Sequence, residues 1–232
     1  MEHIKETLNK FETRTAKIAI IGLGYVGLPL AIECLNAGYE VHGYDVLDKK
    51  VNLLKSGKSD VLDVTSDDVA KYIANGKFIV STSSPILKGA DVMLMCVPTP
   101  LSTSREPDIS YIETALESIR ENIGKDVLVV LESTTYPGTT TEVIRPILEG
   151  EGLKDGEDLF IAFSPERVDP GNPKYQTHNT PKVVGQTLRL RSRSPRVSTE
   201  QRLRLLFRFR HPWPQSWSSC LRTPSAPSIL HW

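Results

Sequence analysis

Residues 17–27, K-I-A-I-I-G-L-G-Y-V-G, constrain the fold more than any other stretch. Four consecutive apolar residues, Ile18 to Ile21, suit a strand buried on both faces and are too few for a helix. Gly22, Gly24 and Gly27 follow in G-x-G-x-x-G spacing, and the apolar run 26–35 then reads as a helix. Gly22 permits a tight turn, Gly24 lets backbone approach a pyrophosphate, and Gly27 lets the helix pack closely on the strand. The intervening Leu23, Tyr25 and Val26 complete a loop whose amides, at a helix N-terminus, favour an anion.

Glycine clusters also mark ordinary turns, so context decides. A strand precedes this cluster and a helix follows it. A second strand, 40–44, ends in Asp45, 23 residues after Gly22. A carboxylate there accepts a hydrogen bond from a ribose 2′-OH and repels a 2′-phosphate, which favours NAD over NADP.

The 232 residues carry no net charge, but that figure averages two unlike segments. Residues 1–185 hold 19 Lys and Arg against 27 Asp and Glu; residues 186–232 hold nine Arg, no Lys and a single acid, Glu200. All 15 glycines lie in the first segment and all three tryptophans in the second. Three regions follow: an N-terminal helical extension over 1–16, a nucleotide-binding domain over 17–185, and an Arg/Ser/Pro-rich tail over 186–232. In the extension, Ile4, Leu8 and Phe11 fall at i, i+4, i+7, the spacing of a short amphipathic helix that packs on the domain. The N-terminus lacks a signal-peptide core, and no apolar run reaches the length of a membrane span. The expectation is therefore a cytoplasmic protein. Cys34, Cys96 and Cys220 lie far apart without metal spacing, so no metal site is expected; Cys34, in the first helix, and Cys96, inside an apolar strand, read as buried thiols of a reducing compartment.

Further along, 47–55 reads as a helix stopped by Gly57, and Ser66 as the N-cap of a helix over 67–74. Strands are expected at 78–82, 91–97, 126–131 and 159–163. Asp108 caps an amphipathic helix through residue 123, and a helix containing Pro146 follows the strand at 126–131. Alternating strands and helices imply an α/β fold: a Rossmann-type, doubly wound, mostly parallel sheet covered on both faces. Ligands then bind outside the carboxyl ends of the strands. Those ends are Gly22 to Gly27, Asp45, Val97-Pro98-Thr99-Pro100, Ser133-Thr134 and Ser164 to Arg167. Each has an ordinary alternative: prolines as strand terminators, Ser and Thr as turn formers, Glu166 as a surface ion pair with Arg167. Five ends together point to a site.

These same ends resemble a known family. G-L-G-Y-V-G-L-P-L-A, V-P-T-P, R-E-P-D-I-S-Y, E-S-T-T-Y-P-G-T-T and F-S-P-E-R-V-D-P-G-N are similar to the N-terminal half of the UDP-glucose/GDP-mannose dehydrogenases. The wording is nearest to the UDP-N-acetylglucosamine and UDP-N-acetylmannosamine 6-dehydrogenase branch, and the likeness runs over about residues 17–185. It implies a two-step, NAD-dependent oxidation of the sugar C6 alcohol to a carboxylate, on the way to polysaccharide precursors. It implies that the glycine loop, Asp45 and Lys50 hold the adenosine end of NAD, and that Val97, Pro98, Thr99 and Pro100 line the cofactor. Ser133 and Thr134 would reach the nicotinamide and a catalytic water. Glu166, as acid/base or substrate contact, would sit with Arg167 beside the reacting carbon of a UDP-sugar. Hydride leaves C6 toward nicotinamide, so a carboxylate and a positioned water must handle the alcohol proton.

Two departures stand out. Relatives of the glucose branch carry a second Glu four residues after the first, where this chain has Pro170. After P-K-V-V-G, ending at Gly185, the family continues into a dimerising helix and a second domain. Those parts supply a Lys, an Asn and a nucleophilic Cys in a Gly-Gly-x-Cys context, and residues 186–232 resemble none of them. Cys220 lacks flanking glycines and a paired base, so it is not the expected nucleophile. The expectation is a truncated nucleotide-sugar dehydrogenase that binds NAD but is inactive, its dimer platform missing. The tail's composition and abrupt onset are those of a shifted reading frame, and the tail is expected to be disordered. A basic arm for nucleic acid or acidic membrane, with Trp213 and Trp217 as stacking residues, is the competing reading; no nucleic-acid or membrane partner is expected. The other enzyme reading, a dehydrogenase of the 6-phosphogluconate or hydroxyacid type, shares the first strand–helix–strand unit but not S-P-E-R.

Overall fold

In the computed structural model, residues 9–100, 107–150, 152–166 and 185–186 are described. Seven strands among them form one sheet: β1 (Lys17–Ile21), β2 (Glu40–Tyr44), β3 (Phe78–Ser81), β4 (Val92–Met95), β5 (Val127–Glu132), β6 (Leu159–Ser164) and β7 (Gly185–Gln186). Their order is β3-β2-β1-β4-β5-β6-β7. The first six run parallel and β7 pairs antiparallel with β6. The strand order reverses between β1 and β4, so a crevice opens there above the carboxyl ends. The expected doubly wound, Rossmann-type architecture is what the chain adopts.

Every residue of β4 and β5 is buried. The reason is the period of two: alternate side chains serve different cores. Ile18 and Ile20 of β1, Leu94 of β4 and Val130 of β5 face one core, with Leu28, Ile32 and Leu35 of α1 (Gly27–Asn36) and Val69 of α3 (Ser66–Ala74). Leu54 of α2 (Asp48–Lys55) joins them. Ala19, Ile21, Met93, Met95 and Val129 face the other, with Ile112, Leu116 and Ile119 of α4 (Ser110–Arg120) and Leu148 of α5 (Arg145–Glu149).

Local departures from the expected elements have local causes. Thr65, not Ser66, caps α3: its hydroxyl oxygen accepts from the Asp68 amide at 3.1 Å and its O–H donates to the Asp68 carboxylate at 2.6 Å. The pattern T-x-x-D is a capping arrangement one residue earlier than expected, and Ser66 accepts instead from the Ser59 amide. Asp108 accepts from the Ser110 amide at 3.0 Å, and these hydrogen bonds from Ser110 hold its carboxyl below the ordinary value. The helix it precedes stops at Arg120, short of residue 123. The segment with Pro146 is a π-helical turn, Thr139–Ile144, that passes into α5 with Pro146 in the first turn. Proline has no N–H and crowds the carbonyl four residues back, so regular helix restarts around it.

Phe11 is buried, as expected for the packing face of the N-terminal extension, and meets Tyr39 edge-on with ring centroids 6.5 Å apart. Residues 9–12 are helical; Ile4 and Leu8 lie outside the described residues. So do residues 187–232, including the tail's tryptophans and Cys220.

Candidate functional site

The glycine loop is built by three different constraints. Gly22 has φ +88°, and a Cβ there would stand 2.7 Å from the carbonyl oxygen of Cys96. At Gly27 a Cβ would lie 1.8 Å from the Gly22 carbonyl oxygen. Both positions exclude a side chain because protein backbone fills the space. Gly24 is different: nothing lies within 4 Å of its would-be Cβ. The space that glycine leaves open there faces away from protein. The amides of Gly24, Tyr25 and Val26 find no acceptor among the described residues. Helix α1 begins at Gly27 with no carboxylate in its first turn. An open cradle of amides at a helix N-terminus fits a pyrophosphate.

Asp45 follows β2 directly. One carboxylate oxygen accepts from the Leu23 amide at 2.8 Å and the other from the Leu47 amide at 3.0 Å. The side chain therefore ties the glycine loop to the β2 end. A carboxylate has about four lone-pair sites, so two amides leave room for a ribose hydroxyl. Lys50, on α2, forms an ion pair with Asp60. With Tyr25, Val61, Leu62 and Asp63 these two line a cleft of about 310 Å³ that adjoins the glycine loop.

On the other side of the switch point, hydroxyls tie the β4 and β5 loops together. The Ser133 hydroxyl donates to the Val97 carbonyl at 3.1 Å and lies 3.1 Å from the Thr99 hydroxyl. The Thr99 hydroxyl also contacts the Thr134 carbonyl. Thr134 itself is exposed, as are Pro98 and Pro100. Glu166 stands two residues past the end of β6, half-buried. Arg167 lies outside the described residues. The structure thus gathers Val97, Thr99, Ser133 and Thr134 into one bonded group. Asp45 and Glu166 belong to strands four positions apart, about 19 Å at the usual strand spacing.

One residue on this rim, Glu132, was not singled out by sequence. Glu132 is 1% exposed at the last position of β5, in register with Ser164 at the end of β6. The signal was available: a carboxylate closing D-V-L-V-V-L-E, a strand apolar on both faces. Ser164 is fully buried, and its hydroxyl has no partner among the described residues. Cys34 and Cys96 are both buried thiols, as expected. Cys96, however, lies one residue beyond β4 rather than inside it, its amide extending the ladder to the Ile21 carbonyl at 2.8 Å. It forms the floor beneath Gly22 and Gly27 because the loop there packs directly on its backbone.

Among the described residues no group of three His, Cys, Asp or Glu could hold a metal ion, and no helix is long and apolar enough to cross a membrane.

Comparison with known proteins agrees with this geometry. The sequence model for the NAD-binding domain of the UDP-glucose/GDP-mannose dehydrogenases matches residues 16–196. UDP-N-acetyl-D-mannosamine dehydrogenase of Pyrococcus horikoshii is 37% identical over 170 residues, which are 73% of this chain and 40% of that protein. UDP-N-acetyl-D-glucosamine 6-dehydrogenase of Salmonella typhi is 37% identical over 171 residues, 72% of this chain and 39% of that protein. The solved structure of the Pyrococcus horikoshii UDP-D-ManNAc dehydrogenase superposes with a TM-score of 0.72 at 35% identity, covering 83% of this chain and 44% of that one. The chain thus spans about 40% of the length of the curated relatives it matches.

Proposed function

The chain belongs to the UDP-glucose/GDP-mannose dehydrogenase family through its NAD-binding domain, and on that premise we propose that it supplies the cofactor half of a UDP-N-acetylhexosamine 6-dehydrogenase. The observation that carries this reading is the contrast among the three glycines. Two are closed by protein backbone and the third, Gly24, opens onto free amides.

The order of the strand ends gives the direction of the bound dinucleotide. Asp45 at the end of β2 takes the adenosine ribose, with Lys50 beside it. The amides of Gly24, Tyr25 and Val26, above β1, take the pyrophosphate. Val97, Pro98, Thr99 and Pro100 after β4, with Ser133 and Thr134 after β5, line the nicotinamide ribose and ring.

NAD, when bound, accepts hydride from the sugar C6. The protein's part is position and proton handling. The linked hydroxyls of Thr99 and Ser133 hold the β4 and β5 loops in one arrangement, which fixes where the exposed Thr134 side chain stands. Thr134 orients a water, and Glu166 accepts the alcohol proton or orders the water that receives it, with Arg167 as a substrate contact. The second oxidation requires a thiolate to hold the aldehyde as a covalent adduct. Cys34 is packed in α1 and Cys96 under the glycine loop, so neither can reach a sugar. The chain on its own therefore binds NAD without completing a uronic acid. Buried thiols and this cofactor suit the cytoplasm.

Replacing Gly24 with Val tests the reading. The side chain would occupy the open cradle, so NAD affinity should fall at least tenfold while the melting temperature stays near wild type. Unchanged NAD affinity would mean the cofactor lies elsewhere.

A further inference from the structure

The cleft beside Tyr25 holds a charge arrangement that the glycine loop and Asp45 do not explain. Lys50 is its lining cation, and Asp60 and Asp63 are its lining carboxylates. The Lys50 side chain is only 12% exposed and its ammonium is engaged by Asp60, whose own side chain is 51% exposed. A largely buried ammonium must be paired, and the half-exposed Asp60 carboxylate is the partner that meets this need from the solvent side.

We propose that Asp60 is a positioning residue for cofactor choice: by holding the Lys50 ammonium, it denies a 2′-phosphate the one cation among the residues lining this cleft. The inference rests on the placement of the adenosine ribose at Asp45 and Lys50. Discrimination against NADP is then built twice. Asp45 repels the 2′-phosphate directly, and Asp60 withholds the ammonium that would compensate. The physical requirement is simple. Dehydrogenases that accept a 2′-phosphate place a cation at the adenosine ribose, and this chain has one on α2 in the right neighbourhood. It is already neutralised. Removal of Asp60 would leave a poorly solvated ammonium seeking an anion, and the 2′-phosphate is the anion that NADP brings.

The test uses the full 232-residue chain and calorimetric titration with NAD and NADP separately. Asp60→Asn should tighten NADP about tenfold, the scale of one ion pair at partial exposure, and leave NAD within about twofold. Asp60→Glu keeps the pair and should retain the wild-type preference. In a Lys50→Met background the Asp60→Asn gain should vanish, since the effect passes through the ammonium. An Asp60→Asn variant that weakens both cofactors alike, or leaves their ratio unchanged, overturns the proposal. So does a gain that persists without Lys50. These failures are distinct from failure of the underlying placement, which would show as wild-type protein binding NADP as tightly as NAD, or binding neither.

Discussion

At Gly27 a single methyl group would meet backbone at 1.8 Å, and at Gly24 it would meet nothing. The two glycines of one motif thus answer to different masters, protein packing and ligand. Gly27→Ala should therefore destabilise the fold by roughly 1–3 kcal/mol through forced backbone movement, read as a lowered denaturation midpoint. Gly24→Ala should leave stability within about 0.5 kcal/mol and reduce NAD affinity instead. Equal stability losses in both would remove the distinction. Tyr39 offers a pH prediction. Burial raises its phenol pKa above the ordinary value of 10.0, with the Arg14 hydrogen bond and charge opposing. A raised folded-state pKa contributes stability that is complete below the unfolded value and is lost as pH rises through the folded one. Thermal melts should fall as pH climbs past about 10, and Tyr39→Phe should flatten that alkaline fall. A fall of the same steepness in Tyr39→Phe would assign it to other groups.

Among the elements, those with strong local signals were legible in the sequence. β1 stands where consecutive apolar residues place it, and α4 follows its amphipathic period over Ile112, Leu116 and Ile119. Boundaries set by a neighbour's side chain were not legible. Thr65 and Ser66 are both good caps by composition, and the exchange of hydrogen bonds between Thr65 and Asp68, with Ser66 drawn to the Ser59 amide, separates them. The π-helical turn before Pro146 depends on how the chain leaves Gly138, at φ +102°, a conformation the sequence merely allows. β7 is two residues long and carries no periodicity. Thr65→Ala should cost about 1 kcal/mol by loss of the α3 cap, and Ser66→Ala less. Leu116→Ala, in the middle of a buried α4 face, should cost about 2–5 kcal/mol. Urea denaturation of the three variants gives the order directly; a larger loss at Ser66 than at Thr65 would refute the cap assignment.

In the whole molecule, six parallel strands bring distant stretches to one rim, and that is why site residues scattered from Gly22 to Glu166 could be read as strand ends before any contact was known. What the rim does between strands was hidden. The Thr99–Ser133 contact joins loops whose approach depends on strand order, and no spacing in the sequence encodes it. Glu132 was missed because a carboxylate at the end of a strand reads as solvent-facing until the neighbouring strand covers it. For the intact polypeptide, incubation with NAD and UDP-N-acetylglucosamine, UDP-N-acetylmannosamine or UDP-glucose should yield no uronic acid. Two NADH per sugar would show that Cys220, the remaining cysteine, serves as the nucleophile.

The central claim, that this domain holds NAD at the glycine loop with Asp45 on the adenosine ribose, is tested most directly by calorimetric titration of the full chain with NAD and with NADP. The expected result is saturable binding of NAD at a single site, with NADP weaker by at least about tenfold because a second charge would face Asp45. NADP binding as tight as NAD, or no saturable binding of NAD, would contradict it.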